Sequence, residues 1–143
     1  MLDLLDVERG QKVLDLGSGS GWTTALLAYL VGSAGQVMGL ELEPELVIFG
    51  RDNLARYDFP WAVIQPAKPH VLGSPADAPF DRILVSASAV LIPQPLIDQL
   101  AVGGVLVVPV GATMTRIEKQ GPGADDVVAT THGLYSFVPL MWP

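Results

Sequence analysis

Residues 13–22 read Val-Leu-Asp-Leu-Gly-Ser-Gly-Ser-Gly-Trp, an apolar run followed by three glycines at alternate positions. This pattern predicts a strand, a tight loop and the start of a helix. Glycine adopts positive φ freely and lacks a Cβ, so a ligand can lie directly against such a loop and face the free N–H groups of the helix start. The stretch therefore indicates a nucleotide-type binding loop, with close packing of helix on strand as the simpler alternative.

A second signal follows in the next apolar run, residues 37–40, which ends at Glu41. In a βαβ unit, an acidic residue at this place accepts hydrogen bonds from ribose hydroxyls. A solvated strand end is the alternative for Glu41, but its placement beside the glycine loop favours a binding role. Glu43 better fits a negative charge at the start of the following helix.

Composition limits the class of protein. The chain has 143 residues, no cysteine and a net charge of -7, so we expect one domain over residues 1–143. The acidic balance, without any basic run, argues against a nucleic-acid partner. No apolar stretch reaches the roughly 18 residues that cross a bilayer, and the N-terminus is acidic where a signal peptide is basic. We therefore expect no membrane contact and a location in the reducing cytoplasm.

Strand and helix patterns alternate along the chain, which predicts an α/β fold with a doubly wound, mostly parallel sheet. The predicted strands are residues 11–16, 36–42, 61–65, 80–85 and 105–110, and an antiparallel C-terminal pair is expected at 113–120 and 134–140. Helices are predicted up to residue 7 and at 22–31, 44–57 and 93–100. Residues 66–79 contain four prolines and are expected to form a loop.

The carboxyl ends of the predicted strands should share one ligand crevice. Ser86 and Ser88 follow the fourth strand and are weak candidates for substrate contact. The alternative, that they are small residues required for close backbone approach, is equally open. His70 and His132 stand alone in sequence and indicate surface positions, so no metal site is predicted.

Six segments together resemble protein-L-isoaspartate O-methyltransferase. They are residues 13–22, 39–46, 78–83, 92–100 (Ile-Pro-Gln-Pro-Leu-Ile-Asp-Gln-Leu), 103–111 and 137–140 (Phe-Val-Pro-Leu). The glycine motif by itself indicates only an S-adenosylmethionine-dependent methyltransferase, and the fourth and sixth segments narrow the resemblance to this family. The resemblance implies a Rossmann-like fold, S-adenosyl-L-methionine as cofactor, and a carboxylate of a damaged protein or peptide as methyl acceptor.

The resemblance also implies roles for single residues. The loop glycines would lie against the methionine part of the cofactor, Asp15 would help to organise the loop, and Glu41 would hold the ribose hydroxyls. Trp22 directly follows the loop. The predicted cofactor-binding residues are therefore Asp15, Gly17, Ser18, Gly19, Gly21, Trp22, Glu41 and Leu42.

Two departures from the family qualify this interpretation. In the family, several dozen residues precede the position of Met1 and cover the transferable methyl group, and this sequence lacks them. We therefore expect an open apolar face that a homo-oligomer or a partner chain would cover. The family's Gly-Asp-Gly after the third strand corresponds to Lys68-Pro69-His70, so the acid that approaches adenine is absent.

Two other classes of function stay open at this point. One is a non-catalytic cofactor-binding or interaction module built on the same fold. The other is an NAD-type Rossmann protein, which is disfavoured because the family-specific segments at 92–100 and 137–140 would then be coincidental.

Overall fold

The protein is described here from a computed structural model that covers residues 1–142. Seven strands form one sheet in the order β3-β2-β1-β4-β5-β6-β7. The strands are β1 Lys12–Leu16, β2 Gln36–Glu41, β3 Ala62–Pro66, β4 Phe80–Val85, β5 Leu100–Val110, β6 Thr113–Lys119 and β7 Val127–Leu134. The helices are α1 Leu2–Leu5, α2 Trp22–Val31, α3 Pro44–Leu54 and α4 Gln94–Asp98.

The first five strands run parallel, whereas β6 and β7 are antiparallel to their neighbours. This confirms the predicted doubly wound sheet with an antiparallel end. Strand β4 is almost continuously buried, as expected for a parallel strand that is covered on both faces. Helices α1, α2 and α3 contribute to the apolar core on one face of the sheet, and α4 to the core on the other.

The short helix α1 is held to the sheet by a buried leucine and by hydrogen bonds from two arginines. Leu5 is fully buried in the core. Arg116 donates from Nε to Leu4 O at 2.9 Å, and Arg82 donates to Asp6 O at 3.1 Å. These bonds satisfy carbonyls that a helix end leaves free, so a helix too short to persist alone is fixed by its neighbours.

The structure corrects several predicted boundaries. The partner of β6 is Val127–Leu134, not residues 134–140, because the turn at 121–123 returns the chain in register with Lys119 opposite Val127. Residues 135–140 instead lead back to the end of β4, where Ser88 bridges Pro139. Helices α3 and α4 are shorter than predicted, β5 already begins at Leu100, and the proline-rich loop contains one 3₁₀ turn, Pro75–Asp77.

None of the helices within residues 1–142 is long and apolar enough to cross a membrane.

Candidate functional site

A cleft of about 470 Å³ lies at the carboxyl edge of the sheet. Its floor is formed by the ends of β1, β2 and β4 and by the glycine loop, and the C-terminal segment closes one side. The lining residues are Leu16, Gly17, Gly19, Leu40, Glu41, Leu42, Glu43, Leu46, Ala67, Lys68, Val71, Leu72, Gly73, Ser86, Ala87 and residues 138–142. The lining is mostly apolar, with few polar groups, which is typical of small-molecule sites.

The glycine loop has the backbone conformation that its sequence predicts. Gly17, Gly19 and Gly21 have φ values of 78°, 51° and 81°, in the region that side chains disfavour. The N–H groups of Gly17 and Ser18 both donate to Leu40 O, at 2.9 and 3.1 Å. The loop is therefore tied to the end of β2 on one side and leads into α2 on the other.

Glu41 connects the loop to the end of β2 through its carboxylate. Its Oε2 accepts from Gly19 N at 2.8 Å, and its Oε1 accepts from Leu42 N at 2.8 Å and Glu43 N at 3.1 Å. The residue is only 8% exposed, yet it lines the cleft. A carboxylate has about four acceptor positions, so one remains for a ligand hydroxyl.

Asp15 lies beneath the loop and is fully buried. Its Oδ2 accepts from Thr24 Oγ1 at 2.7 Å, while Oδ1 has no hydrogen-bond partner within residues 1–142. Burial raises the pKa of Asp15 to about 6; the hydroxyl of Thr24 acts in the opposite direction, and the charge of Glu41 adds to the rise. The arrangement places a readily protonated carboxyl directly under the binding loop.

Gln99 fixes the wall of the cleft that carries Leu72 and Gly73. Its side-chain amide donates to Leu72 O and Pro95 O, both at 2.9 Å, and its Oε1 accepts from Ser74 N at 2.8 Å. All its amide hydrogens are used in a site where Gln99 is only 3% exposed. The loop that carries Leu72 and Gly73 is thereby joined to the segment between α4 and β5.

The cleft contains some of the sequence-predicted residues and leaves others outside. Gly17, Gly19, Glu41, Leu42 and Ser86 line it. Asp15 is buried beneath the loop and Ser18 is buried within it, neither of them lining the cleft, and Gly21 packs against α3. These residues can shape the site without touching a ligand.

Two predicted residues face elsewhere. Trp22 is 60% exposed and lines a separate depression with Asn53 and Tyr57, because it begins α2 on the side where α2 and α3 meet. Ser88 turns its hydroxyl to Gly111 O at 2.6 Å, which supports the structural interpretation of this serine. Neither residue lines the cleft, and their predicted roles stay predictions.

Sequence reasoning missed the wall formed by residues 138–142, including Met141 and Trp142. The Phe-Val-Pro-Leu segment at 137–140, which overlaps this wall, carries part of the family resemblance, but the sequence predicted a strand there. In the part of the chain that the structure describes, no three His, Asp or Glu side chains come together as a metal site.

Comparisons with known proteins agree with this geometry. Residues 1–142 match the family model of protein-L-isoaspartate(D-aspartate) O-methyltransferase (PCMT). The chain belongs to this family. A protein-L-isoaspartate O-methyltransferase of Thermococcus onnurineus is 41% identical over 146 residues, and one of Methanothrix thermoacetophila is 46% identical over 143 residues.

The match covers 99% of this chain in both cases, but the chain spans only 64% and 66% of these two relatives. A solved PCMT structure from Plasmodium falciparum, in complex with S-adenosyl-L-homocysteine, has a TM-score of 0.85 and 25% identity. The structural match covers 99% of this chain and 70% of the Plasmodium falciparum chain. The PCMT relatives are thus longer than the part that they share with this protein.

Proposed function

We propose that this protein is the cofactor-binding part of a methyltransferase that transfers a methyl group from S-adenosyl-L-methionine to a carboxylate of isoaspartyl residues in damaged proteins. The observation that carries the proposal is the position of Glu41. This acid lines the cleft, holds Gly19 N at 2.8 Å and keeps one acceptor position for a ribose hydroxyl. An acid so placed beside a glycine loop fits a nucleoside ligand.

The residues of the cleft fit S-adenosyl-L-methionine. Its volume of about 470 Å³ suits a ligand of this class, and the backbone of Gly17 and Gly19 is open to it. Leu40, Leu42 and Leu72 provide apolar walls. When bound, this cofactor supplies a methyl group that its sulfonium already activates.

The contribution of the chain itself would be alignment and exclusion of water. A substrate carboxylate is ionised near neutral pH, so the reaction requires no protein base to generate the nucleophile. Holding two reactants in line can supply several kcal/mol of the barrier reduction. The small side chains of Ser86 and Ala87, at the end of β4, leave space beside Gly17 for such an approach.

The rim of the cleft supports a proposal about partners. Val138, Met141 and Trp142 line the cleft and are 69%, 61% and 45% exposed. Exposed apolar side chains gathered at one cleft are typical of an interface. We infer that a further segment, a second copy or a partner chain covers the rim and completes the site for a protein or peptide substrate. The proposed setting is the cytoplasm.

Titration calorimetry with S-adenosyl-L-methionine, S-adenosyl-L-homocysteine and NAD tests the proposal. Binding of the first two without NAD supports it, and binding of NAD alone would overturn it. Pro69 corresponds to the acid of the family, and its neighbour Lys68 lines the cleft, so we expect weak binding. Methylation of an isoaspartyl peptide then separates an enzyme from a non-catalytic binding module.

A further inference from the structure

Strand β7, Val127–Leu134, forms one edge of the sheet and pairs only with β6 among the described strands. Its sequence, Val-Val-Ala-Thr-Thr-His-Gly-Leu, contains no lysine, arginine, acid or proline. Six of its eight residues are exposed and the other two are half-buried. An uncharged, exposed edge of this length is a template for pairing with another strand, and proteins usually protect such edges.

The opposite edge of the same sheet carries that protection. At β3, Ala62 donates its N–H to Phe59 O, and Arg51 donates from Nε to Ile64 O at 2.7 Å. The strand ends at Pro66, which has no N–H to offer. One edge is therefore closed by contacts within the chain, whereas β7 is not.

The register of β7 shows which of its backbone groups are free. Gln120 N donates to Asp126 O at 2.7 Å, and the pairing continues with Lys119 opposite Val127. Hydrogen-bonded and non-bonded pairs alternate along an antiparallel ladder. The N–H and C=O groups of Val127, Ala129 and Thr131 therefore point away from β6, outward from the sheet.

We propose that β7 pairs antiparallel with β7 of a second copy of this chain, about a two-fold axis at Ala129. In this register Ala129 lies opposite Ala129 of the second copy, and Val127 lies opposite Thr131. The three outward N–H groups and three outward C=O groups of each copy then all find partners. The two seven-stranded sheets become one continuous sheet, and the interface is isologous.

Charge supports a second copy as the occupant. The same register sets Asp126 of one copy opposite His132 of the other, so no like charges face each other along the strand. Of the paired residues inside the strand, Val127 and Thr131 have β-branched side chains, which favour sheet pairing. A chain with a net charge of -7 can thus associate here without bringing its carboxylates together.

Sedimentation velocity across micromolar to submillimolar concentrations tests this interface. We expect a concentration-dependent dimer, together with concentration-dependent protection of the Ala129 amide from hydrogen exchange. Ala129→Lys places like charges directly opposite each other and should weaken association by about tenfold or more. Ala129→Val keeps the N–H and should preserve the dimer.

A mixing experiment makes the register itself testable. Ala129→Lys and Ala129→Glu should each be monomeric alone and should form a dimer when mixed. In the proposed register, position 129 of one copy lies directly opposite position 129 of the other. Both changes are at an exposed position and should leave the thermal unfolding of the monomer nearly unchanged. A wild-type monomer at all concentrations, or a dimer that neither variant weakens, would overturn the proposal. Neither outcome depends on cofactor binding or methyl transfer.

Discussion

At the scale of single residues, the carboxylates of Asp15 and Glu41 both lie at the glycine loop but in different positions. Glu41 lines the cleft and has acceptor capacity left after its three backbone hydrogen bonds. Asp15 is buried below and bonds to Thr24. We therefore expect Glu41 to touch a ligand and Asp15 to act through the loop above it.

Glu41→Ala should weaken the binding of S-adenosyl-L-homocysteine by about tenfold to a hundredfold, since a hydrogen bond to a charged group contributes roughly 1.5–3 kcal/mol. Glu43→Ala is the matched control. Its side chain is exposed, and Glu43 contributes its backbone N–H, which the substitution keeps. Calorimetry on both variants measures the difference, and equal losses would indicate a general charge effect instead.

Asp15→Asn should change how stability depends on pH. Because burial raises the pKa of Asp15 from 3.8 to about 6, the folded chain holds its proton more tightly than the unfolded chain. The free energy of unfolding should therefore fall as pH rises from about 4 to 6, by about 3 kcal/mol in total, and then level off.

The asparagine variant lacks this titration, so its unfolding free energy should decline less over that interval. Urea unfolding at several pH values between 4 and 7.5 measures the difference between the two slopes. Parallel curves for the two proteins would show that Asp15 does not titrate in this range.

Residue types predicted part of the cleft. Glu41 could be placed there from the sequence because it closes an apolar strand beside a glycine loop. The position of Trp22 could not be predicted in this way. The sequence places it next to the loop but does not show that it lines a separate depression with Asn53 of α3. The wall at Met141 and Trp142 depends on how the C-terminal segment crosses the sheet, which no local pattern encodes.

At the scale of elements, helix α3 supports the glycine loop by close backbone contact. A Cβ at Gly50 would lie 2.8 Å from Gly19 O, and one at Gly21 would lie 2.7 Å from Gly50 O. Asn53, near the end of the same helix, donates to Ser20 O at 2.9 Å. These contacts with α3 therefore fix the position of the glycine loop.

Gly50→Ala should lower both stability and cofactor affinity. Alanine normally stabilises a helix by about 1 kcal/mol relative to glycine. A lower stability of this variant would therefore be caused by the clash with Gly19, not by helix propensity. Asp52→Ala, at an exposed position in the same helix, serves as the control. Thermal unfolding and calorimetry measure the two effects, and a stabilised Gly50→Ala variant would contradict the packing argument.

Elements were predictable where burial gave a clear pattern. The buried strands β1, β2 and β4 stand out as apolar runs, and Pro44 marks the start of α3. Strand β7 was missed because both its faces are largely exposed, so its sequence lacks the alternation that identifies a strand. The close pair of Gly21 and Gly50 is a tertiary contact, and the sequence shows only that Gly50 belongs to a buried helix face.

At the scale of the whole molecule, the cleft is open along an apolar rim while its floor is closely packed. The floor consists of strand ends and a loop held by several hydrogen bonds. The rim carries exposed side chains such as Val138 and Met141. The chain spans 64% of its Thermococcus onnurineus relative, so the relative has residues with no counterpart in the shared part.

The last prediction concerns this rim. Residues 1–143 alone should bind the cofactor weakly and methylate isoaspartyl peptides very slowly, because an unaligned substrate can lose about a hundredfold in rate. A chimera that adds the unmatched part of the Methanothrix thermoacetophila relative should recover activity if that part covers the rim. The same chimera with Glu41→Ala controls for activity brought in by the added segment. Ordinary enzymatic turnover by the chain alone, as a monomer at assay concentration, would contradict the need for a cover, because the cleft would then align its substrate with the residues described here.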